Sequence, residues 1–83
     1  MSVDVLYFAW VREGIGKGQE RVEPPAEVVT VADLIGWLAE RPGYDVLTDT
    51  AKLRVAVDQV FVPLDTQLGA AREVAIFPPV TGG

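Results

Sequence analysis

The side chains that most often carry chemistry are missing from this sequence. There is no histidine and no cysteine among its 83 residues, which removes thiolate nucleophiles, imidazole-activated serines, His or Cys zinc sites and histidine acid–base pairs. Carboxylates, lysines, tyrosines and the termini remain. Of these, the C-terminal carboxylate has the most unusual setting. The sequence closes on "FPPVTGG", residues 77–83: an apolar strand end, Pro78 and Pro79, the slim Val80 and Thr81, and then Gly82 and Gly83. The prolines stiffen the base, with φ locked and no amide to donate to a neighbouring edge. Two glycines lack Cβ atoms and form the narrowest peptide available, which can be threaded through a tight channel until its carboxylate reaches a remote active site. With glycine at 8 of 83 positions, composition alone would produce this ending in roughly 1% of such chains.

A carboxylate is unreactive toward nucleophiles at neutral pH. Using it requires conversion to an activated acyl species, most simply an acyl-adenylate made with ATP by another protein. This sequence carries no apparatus for that step. The glycine cluster "GIGKG" at 14–18 does not supply it: a phosphate loop needs glycine at position 11 and Ser or Thr at 18, which are Val11 and Gly18. A dinucleotide fingerprint starting at Gly14 needs glycine at 19, which is Gln19. The cluster reads as a hairpin turn. A chain of this kind is expected to be substrate and carrier, with catalysis supplied by partners and no cofactor of its own.

Beyond the tail, 83 residues with 49% apolar and 23% charged side chains describe one small globular domain, residues 1–83, with 78–83 as a flexible tail. Without cysteine the core must hold the fold unaided. The net charge of −5 argues against nucleic acid or an anionic membrane and favours a neutral or basic protein partner. The opening "MSVDVLYFAW" has no basic n-region and carries Asp4 inside its apolar run, so it reads as neither signal peptide nor membrane span, and the expected location is the cytoplasm.

Periodicity identifies the elements that must present the tail. Residues 3–10, "VDVLYFAW", read as a first strand, with a short helical turn at "VREG" and a second strand at "QERVEP" ended by Pro24 and Pro25. Thr30 and Asp33 have the capping-box spacing, and Val31, Leu34, Ile35 and Leu38 form one buried stripe with Trp37 on its flank. "RPG" at 41–43 stops this helix. Gly36 within it suggests that something packs close. After an irregular stretch from Tyr44 to Lys52, "LRVAVD", "VFVP" and "EVAIFP" supply three more strands. The expected fold is α+β: a mixed five-stranded sheet with one main helix on one face, its first and last strands side by side at the centre.

A period of two splits the strands into faces. Val3, Val5, Tyr7 and Ala9 go to the helix side, with Val55, Val57, Val74 and Ile76. Asp4, Leu6, Phe8 and Trp10 go to the open side, with Arg54, Ala56, Asp58, Ala75 and Phe77. Phe8, Phe77 and Phe61 thus fall on the face the helix leaves uncovered. A patch of aromatics beside small residues marks a protein interface; a one-residue slip in register would instead place the rings in the core.

"YFAWVRE", "KLRVAVDQ", "FVPLDTQL" and above all "EVAIFPPVTGG" resemble the small subunits of molybdopterin synthase, the MoaD-type ubiquitin-like sulfur carriers of β-grasp fold, over the whole chain. The resemblance implies that Gly83 is adenylated by an E1-like enzyme using ATP and then becomes a C-terminal thiocarboxylate through a sulfur donor. It further implies that the tail, Pro78, Pro79, Val80, Thr81 and Gly82, enters the large synthase subunit to deliver sulfur to a cyclic pterin precursor. Two loaded carriers serve each dithiolene, and the synthase is a heterotetramer. An apolar face beside the tail docks the partner in such proteins, which matches Phe8, Phe61 and Phe77. The family often has Asn at the position of Asp58, and an Asp-Gly-Asp turn where this chain has "GAAR". The double glycine also suits a sulfur carrier for thiamine thiazole synthesis and a ubiquitin-like modifier joined to lysine.

Overall fold

The computed structural model describes residues 2–79. Its sheet has the strand order β2-β1-β5-β3-β4, with β1 at Val3–Tyr7, β2 at Gln19–Val22, β3 at Arg54–Val57, β4 at Val60–Val62 and β5 at Glu73–Phe77. Helix α1 spans Ala9–Ile15 and helix α2 spans Val31–Ala39. The first and last strands pair in parallel at the centre, Val5 against Val74 and Tyr7 against Ile76, while β2, β3 and β4 add antiparallel neighbours. This is the mixed five-stranded sheet expected from the sequence.

The period-two sorting of β1 and β5 holds. Val3, Val5, Tyr7, Val74 and Ile76 are buried against Val31, Leu34, Ile35 and Leu38 of α2, each large apolar side chain contributing about 1.5–3 kcal/mol on burial. Thr30 caps α2 as its spacing requires. The Thr30 hydroxyl accepts from the Asp33 amide at 3.1 Å, and the Asp33 carboxylate accepts from the amides of Val29 and Thr30, both at 3.1 Å. Those amide hydrogen bonds hold the Asp33 carboxyl below the usual aspartate range.

Three local expectations differ. The first strand ends at Tyr7 rather than at residue 10. Phe8 still donates its amide to Ile76 at 3.2 Å, but Ala9 then takes φ 52°, and the Phe8 carbonyl accepts from the amides of Val11 and Arg12. The chain therefore turns directly into α1, and Trp10 belongs to that helix, not to the strand's open side. The connection to β2 is accordingly a helix closed by Gly16 at φ 92°, not a plain hairpin turn. Helical propensity in "AWVREGI" was masked by the β-branched and aromatic run before it. The close approach anticipated at Gly36 occurs elsewhere. Nothing lies within 4 Å of where a Gly36 Cβ would stand, whereas a Cβ on Gly14 would fall 3.1 Å from Cβ of Val46, so it is Gly14 that lets α1 sit close to the 3-10 turn Asp45–Leu47.

One charged residue lies toward the core side of the sheet. Glu20 pairs with Val5 in the β1–β2 register, and its carboxylate accepts from the hydroxyls of Tyr7 at 2.7 Å and Tyr44 at 2.6 Å and from Arg41 at 3.2 Å, with Lys17 at 3.5 Å. Arg41 also lies over the rings of Trp37 and Tyr44, at 5.0 and 5.6 Å. Burial pushes the Glu20 carboxyl up, but the Tyr44 and Tyr7 hydrogen bonds and the charges of Lys17 and Arg41 outweigh it and leave it below the ordinary value. Burial, followed by the nearby Glu20, drives the Tyr7 hydroxyl far above its usual range. The cluster thus ties β1, β2 and the end of α2 to the Tyr44 segment. Among the described residues, no helix is long and apolar enough to cross a membrane.

A carboxyl with a lowered folded-state value stabilises above its unfolded value and loses that contribution as pH falls through the folded one. Glu20→Gln is therefore expected to lower stability at pH 7 by about 1–3 kcal/mol and to flatten part of the acid-induced loss seen in urea titrations below pH 4.5, the ordinary glutamate value. Equal acid dependence in both proteins would contradict the cluster's role. Gly36→Ala, with open space for the new methyl, should raise stability by about 0.5–1 kcal/mol in the same measurement.

Candidate docking face and the base of the tail

The site is built from β5 outward. As an interior strand, β5 is hydrogen-bonded to β1 on one side and β3 on the other, so its last residue, Phe77, has a fixed position opposite Arg54. Residues directly opposite each other share a face. The open face therefore carries one row of Gln19, Leu6, Ala75, Ala56 and Phe61 across all five strands. Two residues further along β5 on the same face, Phe77 stands opposite Arg54, and Phe8 follows Tyr7 just beyond the paired part of β1, at the start of α1.

The row's centre is shallow because Ala75 and Ala56 project little, and both are buried at 8% and 6% exposure. Its margin is not. Phe61 is 79% exposed on the edge strand β4, and Phe8 is 45% exposed. The Phe61 and Phe77 rings meet at 5.6 Å between centroids, tilted by 52°. Together with Arg54, Val55, Val62 and Pro63 they line a groove of about 380 Å³. Rings left in water beside a groove of apolar side chains form a surface suited to burial against another molecule. Phe61 and Phe77 thus meet on the open face at the base of the tail, Phe8 is exposed just past the end of β1, and none of the three is in the core.

Sequence reasoning passed over Pro63 and Arg54 as site residues, because the groove they line needs the β3–β4 pairing to be seen. Pro78 and Pro79 continue from Phe77 and are half-buried. Val80, Thr81, Gly82 and Gly83, the remaining tail positions, lie outside the described residues.

At the other end of the face the charges are paired. Arg21 donates to Asp4 at 2.9 Å, and that hydrogen bond with the guanidinium charge holds the Asp4 carboxyl below its usual range. Asp58 and Gln59 both have positive φ, 49° and 72°, as a two-residue hairpin between twisted strands requires. The Asp58 carboxylate accepts from the amides of Arg72 and Glu73 at 2.9 and 3.0 Å and so fixes where β5 begins. An asparagine carbonyl can accept the same two bonds, so Asp at this position keeps the role open to Asn. Among the described residues no group of three His, Cys, Asp or Glu side chains could hold a metal.

The geometry has close counterparts. The model of the ThiS family matches residues 5–83. The molybdopterin synthase sulfur carrier subunit of Escherichia coli (strain K12) is 39% identical over 82 residues, covering 98% of this chain and 99% of that protein. A candidate molybdopterin converting factor subunit 1 from Pyrococcus furiosus superposes with a TM-score of 0.75 at 28% identity, covering 96% of this chain and 99% of that one. SAMP1 of Haloferax volcanii does so with a TM-score of 0.72 at 25% identity over the full length of both chains. A central parallel β1–β5 pair, a capped helix on one face, an aromatic opposite face and full-length likeness in both sequence and structure agree: the chain is a β-grasp protein of the ThiS family and belongs with the molybdopterin synthase sulfur carrier subunits.

Proposed function

We propose that this chain carries sulfur on its last residue, Gly83, for a molybdopterin synthase, and that the observation carrying this reading is the placement of Phe77. An interior strand ends there, its last ring against exposed Phe61, and the sequence runs on as two prolines and a slim segment to Gly83. A partner that covers the aromatic face is thereby positioned to receive the segment C-terminal to Phe77.

In this reading an E1-like partner joins the Gly83 carboxylate to the adenylyl group of ATP, releasing pyrophosphate. Sulfur from a donor then attacks the acyl carbon and AMP leaves, giving a thiocarboxylate. Pro78 and Pro79 hold the arm away from the sheet, Val80, Thr81 and Gly82 thread it into the large subunit, and the sulfur passes to a cyclic pterin precursor. Two loaded carriers supply each dithiolene, in a heterotetramer of two small and two large subunits. The domain itself neither binds ATP nor catalyses a step. It is a protein substrate whose fold aims one carboxyl group.

A second reading, transfer of the Gly83 acyl group to a lysine amine of another protein, draws support from likeness to SAMP1 of Haloferax volcanii. Both readings share the adenylate and diverge at the nucleophile.

Incubation with the activating enzyme, ATP and a sulfur donor should give an intact mass in which one oxygen is replaced by sulfur. Deleting Gly83, or Gly82→Val, should abolish loading or transfer at unchanged thermal stability, whereas a fall in stability would make the tail structural. Phe61→Ala should weaken large-subunit binding about tenfold or more and shift stability by no more than about 0.5 kcal/mol, because the ring is mostly in water.

A further inference from the structure

The open face carries two arginines in opposite situations. Arg21 is neutralised, its Nε 2.9 Å from Asp4. Arg54 is exposed, and among the described residues no carboxylate pairs with it. Its guanidinium is nevertheless held in place: Nη1 donates to the carbonyls of Leu53 at 2.8 Å and Ala51 at 3.4 Å. Both bonds use the same nitrogen. Nε and Nη2, whose parallel N–H groups form the edge that chelates a carboxylate in bidentate fashion, donate to nothing among the described residues.

Its position matters as much as its state. Arg54 is opposite Phe77 in the β3–β5 register and lines the same groove as Phe61, Val62 and Pro63. A cation fixed in orientation at the rim of an apolar patch, in a chain of net charge −5, is poorly matched to its own surface and well matched to an acidic group arriving with a partner. Prior fixation of the side chain also lowers the entropy lost on pairing.

We infer that Arg54 is a specificity residue of the docking face, which grips an Asp or Glu carboxylate of the protein that covers Phe61 and Phe77, and so selects the partner that receives the tail. The inference rests on the carrier reading and adds to it a charge requirement. Apolar contact supplies affinity without direction, whereas one bidentate ion pair at the rim sets orientation and rejects partners with a cation there. Lysine at this position keeps the charge but loses the fork.

The test compares wild type, Arg54→Glu, Arg54→Lys and Phe61→Ala for binding to the large subunit of molybdopterin synthase from the same source, at low salt and at about 0.5 M salt, with adenylation of each variant by the activating enzyme measured in parallel. Arg54→Glu is expected to weaken binding at least about tenfold at low salt, mainly through a slower association rate, with the gap narrowing at high salt. Arg54→Lys should fall between, and Phe61→Ala should weaken binding at both salts. Arg54→Glu within twofold of wild type while Phe61→Ala loses affinity would overturn the arginine proposal and leave the docking face standing. Loss of adenylation alone, with large-subunit binding intact, would also overturn it, since the group gripped would then be a carboxylate or phosphate on the activating side. If neither variant lost affinity, the docking face and the arginine role would fall together.

Discussion

The parallel pairing of β1 with β5 is the constraint on which the rest of the molecule depends. It joins residues 4–7 to residues 73–76, and closing so long a loop is entropically unfavourable. That cost is offset by burying both strands' inner side chains under α2. Because β3 pairs on the far side, β5 is flanked by a strand on each side over residues 74–76, and Phe77 is held opposite Arg54. The direction in which the chain leaves the domain is therefore set by an interior strand of the sheet.

The two faces of that sheet divide the work. The inner face is apolar except for Glu20, whose hydrogen bonds to Tyr7 and Tyr44 satisfy a carboxylate that would otherwise be costly to bury. Removing it would loosen the joint between β1, β2, the end of α2 and the Tyr44 segment. The outer face has Ala56 and Ala75 at its middle, Phe61 across from Ala56 on the edge strand and Phe77 at the end of β5, which gives a flat floor with a raised apolar margin near Phe77. A chain without thiol or imidazole also lacks the side chains that would most readily capture the activated acyl end that the proposed function requires.

The sheet, its faces and the capped helix were legible because each rests on a short-range rule. Alternation placed Val3, Val5 and Tyr7, and the 3.6 period placed Val31, Leu34, Ile35 and Leu38. Thr30 and Asp33 announced the cap. The features that were not legible depended on single backbone angles or on distant contacts. Ala9 turns left-handed where most residues would continue the strand, and no composition signal marks that; with it went the length of α1 and the placement of Trp10. Gly14 and Gly36 look alike as helix glycines, and only the position of Val46 separates them. Phe8, Phe61 and Phe77 were assigned to one face by alternation, but the groove beside Arg54 appears only once β3, β4 and β5 are in register.

The central claim is that all of the carrier's chemistry resides in its terminal carboxyl group and that the folded part only delivers it. The most direct measurement supplies the chain with a C-terminal thiocarboxylate already installed by chemical ligation, mixes it with the large subunit and the cyclic pterin precursor, and monitors dithiolene formation without ATP or an activating enzyme. The account predicts product in proportion to the carrier added, at two carriers per dithiolene, and none from the same chain bearing an ordinary carboxylate. Product that still required ATP, or that formed equally from the unmodified chain with a free sulfur source, would contradict it.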